Sequence, residues 1–393
     1  MALDFSLSSE QQDFAARARA ACDGLRGWYR RGGHGDFFAA SWEALAGAGL
    51  LGAVVPKAHG GSGAGLVALA LALEELGATG LPNMLPILTA VDALGIVRHG
   101  TPALQRTVLP RVAAGGCKLC LAVTESEAGY NTSQTRTAAA LHDEVYRLSG
   151  AKVYISGADL ADFLLVLARS LPLEEVAARG LPKTAGLLWL LVDARTPGIR
   201  LRPMPSRGEG AMRQFEVELD AVEVPAENLL GRDGEGFAVL LDLVNPERIL
   251  VAALQVGTAQ HCLDVAIEHA RARKVFGDVP IGSYQSIQHP LAEVKIRQEA
   301  VRLMVWRAAA GYDAGGGVRD VSLPANAAKL LASELGAKAL EAALDTLGGK
   351  GFDERYGIVH LIEMVQLLRV APISNALIYN QTAEYALRLP RSY

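Results

Sequence analysis

Two cysteines stand as Cys117-x-x-Cys120, the spacing of a redox pair or of half a zinc site. No second pair accompanies them, and Cys120 lies in the apolar run Leu119-Cys-Leu-Ala-Val123. A small buried hydrophobe is the simpler reading of such a cysteine. Cys22 and Cys262 are isolated and the eight histidines form no compact ligand set, so no metal is expected. Acid–base chemistry has more to work with. Asn245-Pro-Glu-Arg-Ile249 sets Glu247 beside Arg248 at what reads as a helix start. A carboxylate there can act as a general base, or it can simply answer the helix dipole. Thr124 and Ser156 carry hydroxyls near the ends of apolar runs, where each can bond a ligand or close a strand. Tyr154 can pack on a flat ring or fill a core. Arg271, Arg273 and Lys274 form a small basic cluster that suits phosphate or solvent. The glycine-rich run at 60–65 lacks Gly-x-Gly-x-x-Gly spacing and follows no convincing strand, so it is a poor dinucleotide fingerprint.

These residues need a large scaffold, and 393 residues can supply two or three domains. Half of the chain is hydrophobic, yet the longest strongly apolar stretch, 66–73, is far shorter than the ~20 residues of a bilayer-spanning helix. No membrane association is expected. Met1-Ala2-Leu3-Asp4-Phe5 shows no basic segment leading into an apolar one, so a cytoplasmic location is the expectation. A formal net charge of −4 gives no general basic field, and nucleic acid is not an expected partner.

The spacing of apolar residues predicts helices over the first 117 residues. Ser8-Ser9-Glu10-Gln11-Gln12 has a capping-box arrangement ahead of Phe14, Ala18 and Ala21, and Thr101-Pro102 is a second helix start. A second amphipathic helix is expected over 36–51. From 118 to 232, short apolar runs alternate with turn signals and predict strands at 119–124, 144–148, 151–156, 163–168, 187–193, 199–203 and 215–219. The stretch 171–183 reads as a surface insertion. From 233 to 393 long helices return, at 245–275, 283–312 and 324–347, with two further segments after Gly351. Long helices on short loops predict a bundle, so the fold class is α+β: helices, then a β-sheet domain, then a four-helix-bundle-like domain.

This order resembles the acyl-CoA dehydrogenase family over essentially the whole chain. Ala122-Val-Thr-Glu-Ser-Glu-Ala-Gly129 is similar to the family's flavin loop, and Lys152-Val-Tyr-Ile-Ser156 to its second flavin strand. Asn228-Leu-Leu-Gly231 through Gly236-Phe237 resembles the approach to the bundle. Arg273-Lys-Val-Phe-Gly277 with Gln285 resembles the segment that reaches a neighbouring subunit's FAD, and Gly348-Gly-Lys-Gly-Phe352 the turn near its adenine end. The resemblance implies FAD as cofactor, with contacts from Val123, Thr124, Tyr130, Asn131, Tyr154, Ser156, Arg273, Phe276, Gln285, Gly348, Gly349 and Ser374. It implies an acyl-CoA substrate, loss of the α-proton to a base, and transfer of the β-hydrogen as hydride to flavin N5.

Many family members keep the base late in the bundle. Here that place is Ala371-Pro372-Ile373-Ser374, with Pro372 where the glutamate would be. Another branch, including isovaleryl-CoA and long-chain dehydrogenases, carries its glutamate just before an arginine early in the bundle. Glu247 matches that position, and Arg248, the adjacent arginine, is a candidate substrate contact. The changed base position points to a branched or bulky acyl group. The pattern also departs at Tyr130, where a serine or threonine is usual, and at Asp345, where a glutamine is usual. The implied partners are an electron-transferring flavoprotein and further copies of this chain, as a dimer of dimers, with a heteromer as the alternative. A non-catalytic or half-catalytic subunit and an acyl-CoA oxidase are the rival functions.

Overall fold

A computed structural model describes residues 6–31, 34–207 and 212–391; the segment 1–5, read above for a leader, lies outside them. Five helices come first: α1 (Ser9–Asp23), α2 (His34–Gly47), α3 (Gly65–Gly77), α4 (Leu85–His99) and α5 (Pro102–Ala113). Their ends follow local chemistry. Ser8 Oγ accepts from the Gln11 N–H while the Gln11 side chain accepts from the Ser8 N–H, a complete capping box. Thr101 Oγ1 accepts from the Leu104 N–H, with Pro102 opening α5. Phe14, Ala18 and Cys22 recur every fourth residue and face the core.

The sheet follows: β1 (Leu119–Ala122), β2 (Ala138–His142), β3 (Val145–Ser156), β4 (Phe163–Arg169), β5 (Leu187–Asp193), β6 (Ile199–Pro203), β7 (Gln214–Pro225) and β8 (Leu229–Leu230). The strand order is β6-β7-β3-β2-β4-β5-β8, with β1 running parallel to β4. The expected strands at 144–148 and 151–156 are one strand, β3. Its register with β7 shifts between Leu148 and Gly150 and again between Lys152 and Ile155, so bulges absorb the glycine that reads as a turn. β2 is Ala-Ala-Ala-Leu-His, without a β-branched residue to signal it. The expected surface insertion contains a short helix, α6 (Leu173–Ala178).

Among the described residues there follow α7 (Gly236–Ala272), the hairpin β9 (Lys274–Val275) and β10 (Val279–Pro280), α8 (Gln285–Asp313) and α9 (Val318–Leu347) with a glycine turn between them, then α10 (Leu361–Leu367) and α11 (Asn375–Gln381). α7 is the axis of the molecule and packs on α3, α4, α8 and α9. It starts well before the expected Asn245. Asn245-Pro246 imitates a helix start, but the helix runs through Pro246 because its apolar faces are buried on several sides. Glu247 therefore lies eleven residues past Gly236, not in a first turn, and the helix dipole no longer accounts for it.

Two features lock the first helices to the bundle. At Gly77 of α3 a Cβ would stand 2.1 Å from the Leu254 carbonyl oxygen, and at Gly257 of α7 it would stand 1.9 Å from the Glu74 carbonyl oxygen. Only glycine permits that approach. Asp313, at the end of α8, accepts from the Leu66 and Val67 N–H groups at 2.7 and 3.0 Å and so caps α3. No helix among the described residues is long and apolar enough to cross a membrane.

Candidate active site

The loop after β1 is held from below by a buried ion pair. Lys152 of β3 is fully buried, and its Nζ donates to Glu125 Oε1 at 2.8 Å and to the Val123 carbonyl at 3.0 Å. Glu125 also accepts from Thr137 Oγ1 at 2.6 Å and from the Arg136 N–H at 2.7 Å. Burial alone would raise the Glu125 pKa, but the Lys152 charge and these bonds outweigh it and the pKa falls. Burial lowers the Lys152 ammonium to about 8 against the pull of Glu125. The Val153 N–H closes the unit by donating to the Thr124 carbonyl at 2.9 Å. Val123 and Thr124 are thereby fixed beside Tyr154 and Ser156.

Tyr154 sits in the second bulge of β3 at φ 59°, a conformation that costs a non-glycine residue strain. The bulge leaves its ring 56% exposed on a rigid strand. A flavin ring needs a flat apolar face and a polar edge. Tyr154 offers the first, and Thr124 with Ser156 offers the second, so these residues suit FAD. Tyr130 and Asn131 are exposed on the neighbouring loop. Tyr130 has left the loop's own surroundings, because its hydroxyl donates to the Val370 carbonyl at 3.1 Å.

That bond ties the loop to the segment before α11. Ser374 caps α11 by accepting from the Leu377 N–H at 3.1 Å. Lys329 of α9, buried, donates to the Ile373 carbonyl at 2.5 Å and to Asn375 Oδ1 at 2.9 Å. Burial and the nearby Arg248 guanidinium lower Lys329 to about 8. Sequence reasoning missed this lysine, whose surroundings Ala-Ala-Lys-Leu-Leu read as plain bundle core.

Glu247 is partly buried in α7. Burial raises its carboxyl to about 7, against the opposing charge of Arg248. A carboxyl tuned to that range can take a proton from a weak acid near neutral pH. Arg248 is buried, reaches Asn245 Oδ1 at 3.4 Å, and keeps an Nε with no partner among the described residues. Asp92 of α4 was also missed. It is fully buried, and burial, followed by the Glu247 charge, raises its pKa well above the usual carboxylate range. A lone aspartate inside Leu85-Pro-Ile-Leu-Thr-Ala-Val-Asp-Ala-Leu-Gly95 was the available signal.

The remaining expected contacts lie elsewhere. Arg273 follows the far end of α7, 26 residues beyond Glu247 and so about 39 Å away at 1.5 Å per helical residue. Phe276 at the β9–β10 turn is 95% exposed, and Gln285, Gly348 and Gly349 are exposed too. A Cβ at Gly348 or Gly349 would meet nothing within 4 Å. Within one chain this cluster gathers about the C-terminal end of α7, away from Glu247. All four cysteines are free and buried, and burial pushes the Cys117 thiol up to about 11.

Three family models match the chain in order: "Acyl-CoA dehydrogenase, N-terminal domain" over 8–116, "middle domain" over 120–222 and "C-terminal domain" over 234–373. Acyl-CoA dehydrogenase FadE12 of Mycobacterium tuberculosis is 35% identical over 353 residues, covering 90% of this chain and 89% of that relative. A solved structure described as an electron transferring flavoprotein of Acidaminococcus fermentans has a TM-score of 0.90 and 26% identity, covering 98% of this chain and 100% of that one. PigA with FAD and proline has a TM-score of 0.88 and 26% identity, with coverage of 98% and 100%.

Proposed function

The chain belongs to the acyl-CoA dehydrogenase family and is an FAD-dependent oxidoreductase of acyl-CoA thioesters; from that premise we propose that Glu247 is its catalytic base. The supporting observation is the placement of the carboxyl: partly buried in α7, raised to about 7, and next to an arginine that opposes a further rise. Glu247 would take the α-proton of the thioester, the α–β bond would become double, and a trans-2-enoyl-CoA would leave. When bound, FAD supplies the acceptor for the β-hydrogen and its electron pair. Val123, Thr124, Tyr154 and Ser156 would orient that acceptor, and the buried Glu125–Lys152 pair would keep them rigid. Arg248, close to Glu247 on the same helix, would contact the substrate or brace the base. Ser374 and Tyr130–Asn131 would border the same space.

Arg273, Phe276, Gln285, Gly348 and Gly349 would serve the FAD of another copy of the chain, which accounts for their exposure far from Glu247. This makes the functional unit at least a dimer, within a dimer of dimers. Electrons would pass on to an electron-transferring flavoprotein. The reading is of a cytoplasmic enzyme with units 1–117, 118–232 and 233–393. Anaerobic bleaching of the flavin by a panel of acyl-CoA thioesters tests the assignment. Glu247→Gln should slow bleaching at least 10²-fold while acyl-CoA still binds. Bleaching at the wild-type rate would remove Glu247 from the role.

A further inference from the structure

The buried Asp92 has no job in the scheme above. Both of its carboxylate oxygens lack any partner among the described residues. Other acids in or near the core are served: Glu125 has Lys152 and Thr137, Glu74 has Arg302, and Asp313 has two backbone N–H groups. An unserved carboxyl in an apolar helix is unfavourable, and a leucine would fill the space without that cost.

Asp92 lies on α4, and the register of the seam between α4 and α7 can be followed residue by residue. His99 Nε2 meets Asp242 Oδ2 at 2.8 Å. One turn back along α4, a Cβ on Gly95 would meet Leu243 Cδ2 at 2.9 Å. The two helices thus run antiparallel in close register, and the next step brings Asp92 towards Glu247. The Glu247 charge is felt at Asp92, in keeping with that register. An acyl group that presented its α-carbon to Glu247 would have this seam beside it. An alkyl tail would leave both Asp92 oxygens dry and unpaired. A hydroxyl or an ammonium would satisfy them.

We propose that Asp92 is a specificity-determining residue, and that the acyl thioesters taken against Glu247 are those whose tail carries an O–H or N–H donor. This rests on the reading of Glu247 as the base, because that reading puts the acyl group at the seam. A site built to bond such a donor discriminates strongly against the analogue without it.

The test uses the FAD-loaded enzyme and anaerobic flavin bleaching. The probes are straight-chain acyl-CoAs of four to six carbons, the ω-hydroxyacyl-CoAs of the same lengths, and 6-aminohexanoyl-CoA. For at least one length the donor-bearing thioester should exceed its alkyl match about ten-fold or more in kcat/KM. Asp92→Leu should abolish or reverse that preference, with alkyl thioesters bleaching at least as well as in the wild type. Asp92→Asn, close in volume, guards against a folding failure and separates the donors: it should keep part of a hydroxyl preference and lose an ammonium preference. A wild-type enzyme that bleaches with alkyl thioesters and is indifferent to the donor at every length overturns the role of Asp92 and leaves Glu247 standing. So does a donor preference that survives Asp92→Leu. Absence of bleaching by every thioester removes the reading of Glu247, and this inference with it.

Discussion

Replacing Glu247 by glutamine should change stability in a pH-dependent way. The carboxyl shifts from an ordinary 4.5 to about 7 on folding because burial disfavours its charge. Between those values the folded chain holds a proton that the unfolded chain has released. Stability therefore falls as pH rises through that window, and the loss is complete above about pH 7. At roughly 1.4 kcal/mol per pH unit the loss amounts to about 3 kcal/mol. Unfolding entropy near 2.1 cal/mol/K per residue gives about 0.8 kcal/mol/K for 393 residues, so this is about 4 °C in Tm. Glutamine has no proton to lose. The variant should match the wild type near pH 4.5 and melt about 4 °C higher at pH 8. Thermal scans of both FAD-loaded proteins at the two pH values, at one scan rate, give the comparison. The Glu247 charge also adds to the rise at Asp92, so its removal lowers the Asp92 pKa as well and widens the gap at pH 8 in the same direction. A gap of the same size at both pH values, or a glutamine variant less stable at pH 8, would refute the account of Glu247 as a carboxyl made less acidic by burial.

The same shift predicts that kcat/KM rises with pH through a limb near 7, which a pH–rate profile with a non-ionising thioester would show. Lys152→Met leaves Glu125 buried beside an uncharged neighbour; it should cost about 3–5 kcal/mol in a denaturant titration and weaken FAD retention. Asp313→Ala removes the acceptor for two N–H groups of α3 and should cost about 1–3 kcal/mol by the same titration. Glu247→Gln and Arg273→Ala homo-oligomers should each be poorly active. Co-assembled one to one, they should recover about a quarter of wild-type activity, since half of random dimers are hybrids with one intact site in two. No recovery would place Arg273 outside its neighbour's site.

Much of the architecture could be read from periodicity and caps. Ser8, Thr101 and the glycine turn at 315–317 mark element ends whose chemistry is local. Errors arose where the deciding force was not local. Asn245-Pro246 carries a helix-start signature that packing on α3, α4 and α9 overrides. Gly150 signals a turn that pairing with β7 converts to a bulge. Candidate site residues with side chains of obvious chemistry, such as Glu247 and Tyr154, stood out in the sequence. Asp92 and Lys329 did not, because their significance lies in what surrounds them: two unserved oxygens in one case, three oxygen acceptors in the other.

The contact of Gly77 with the α7 backbone bears on how this protein can be re-engineered. Acyl selectivity in such a molecule invites chimeras, with the first five helices taken from a relative of different preference. The joint would not be the peptide link at the domain border but the two glycines, 77 and 257, where main chain meets main chain. A donor with alanine at either place would push α3 away from α7 by an atom's width or more, and α4 with its Asp92 would move off the seam. Graftable units therefore begin on both sides of that crossing, and a successful hybrid must inherit the pair together.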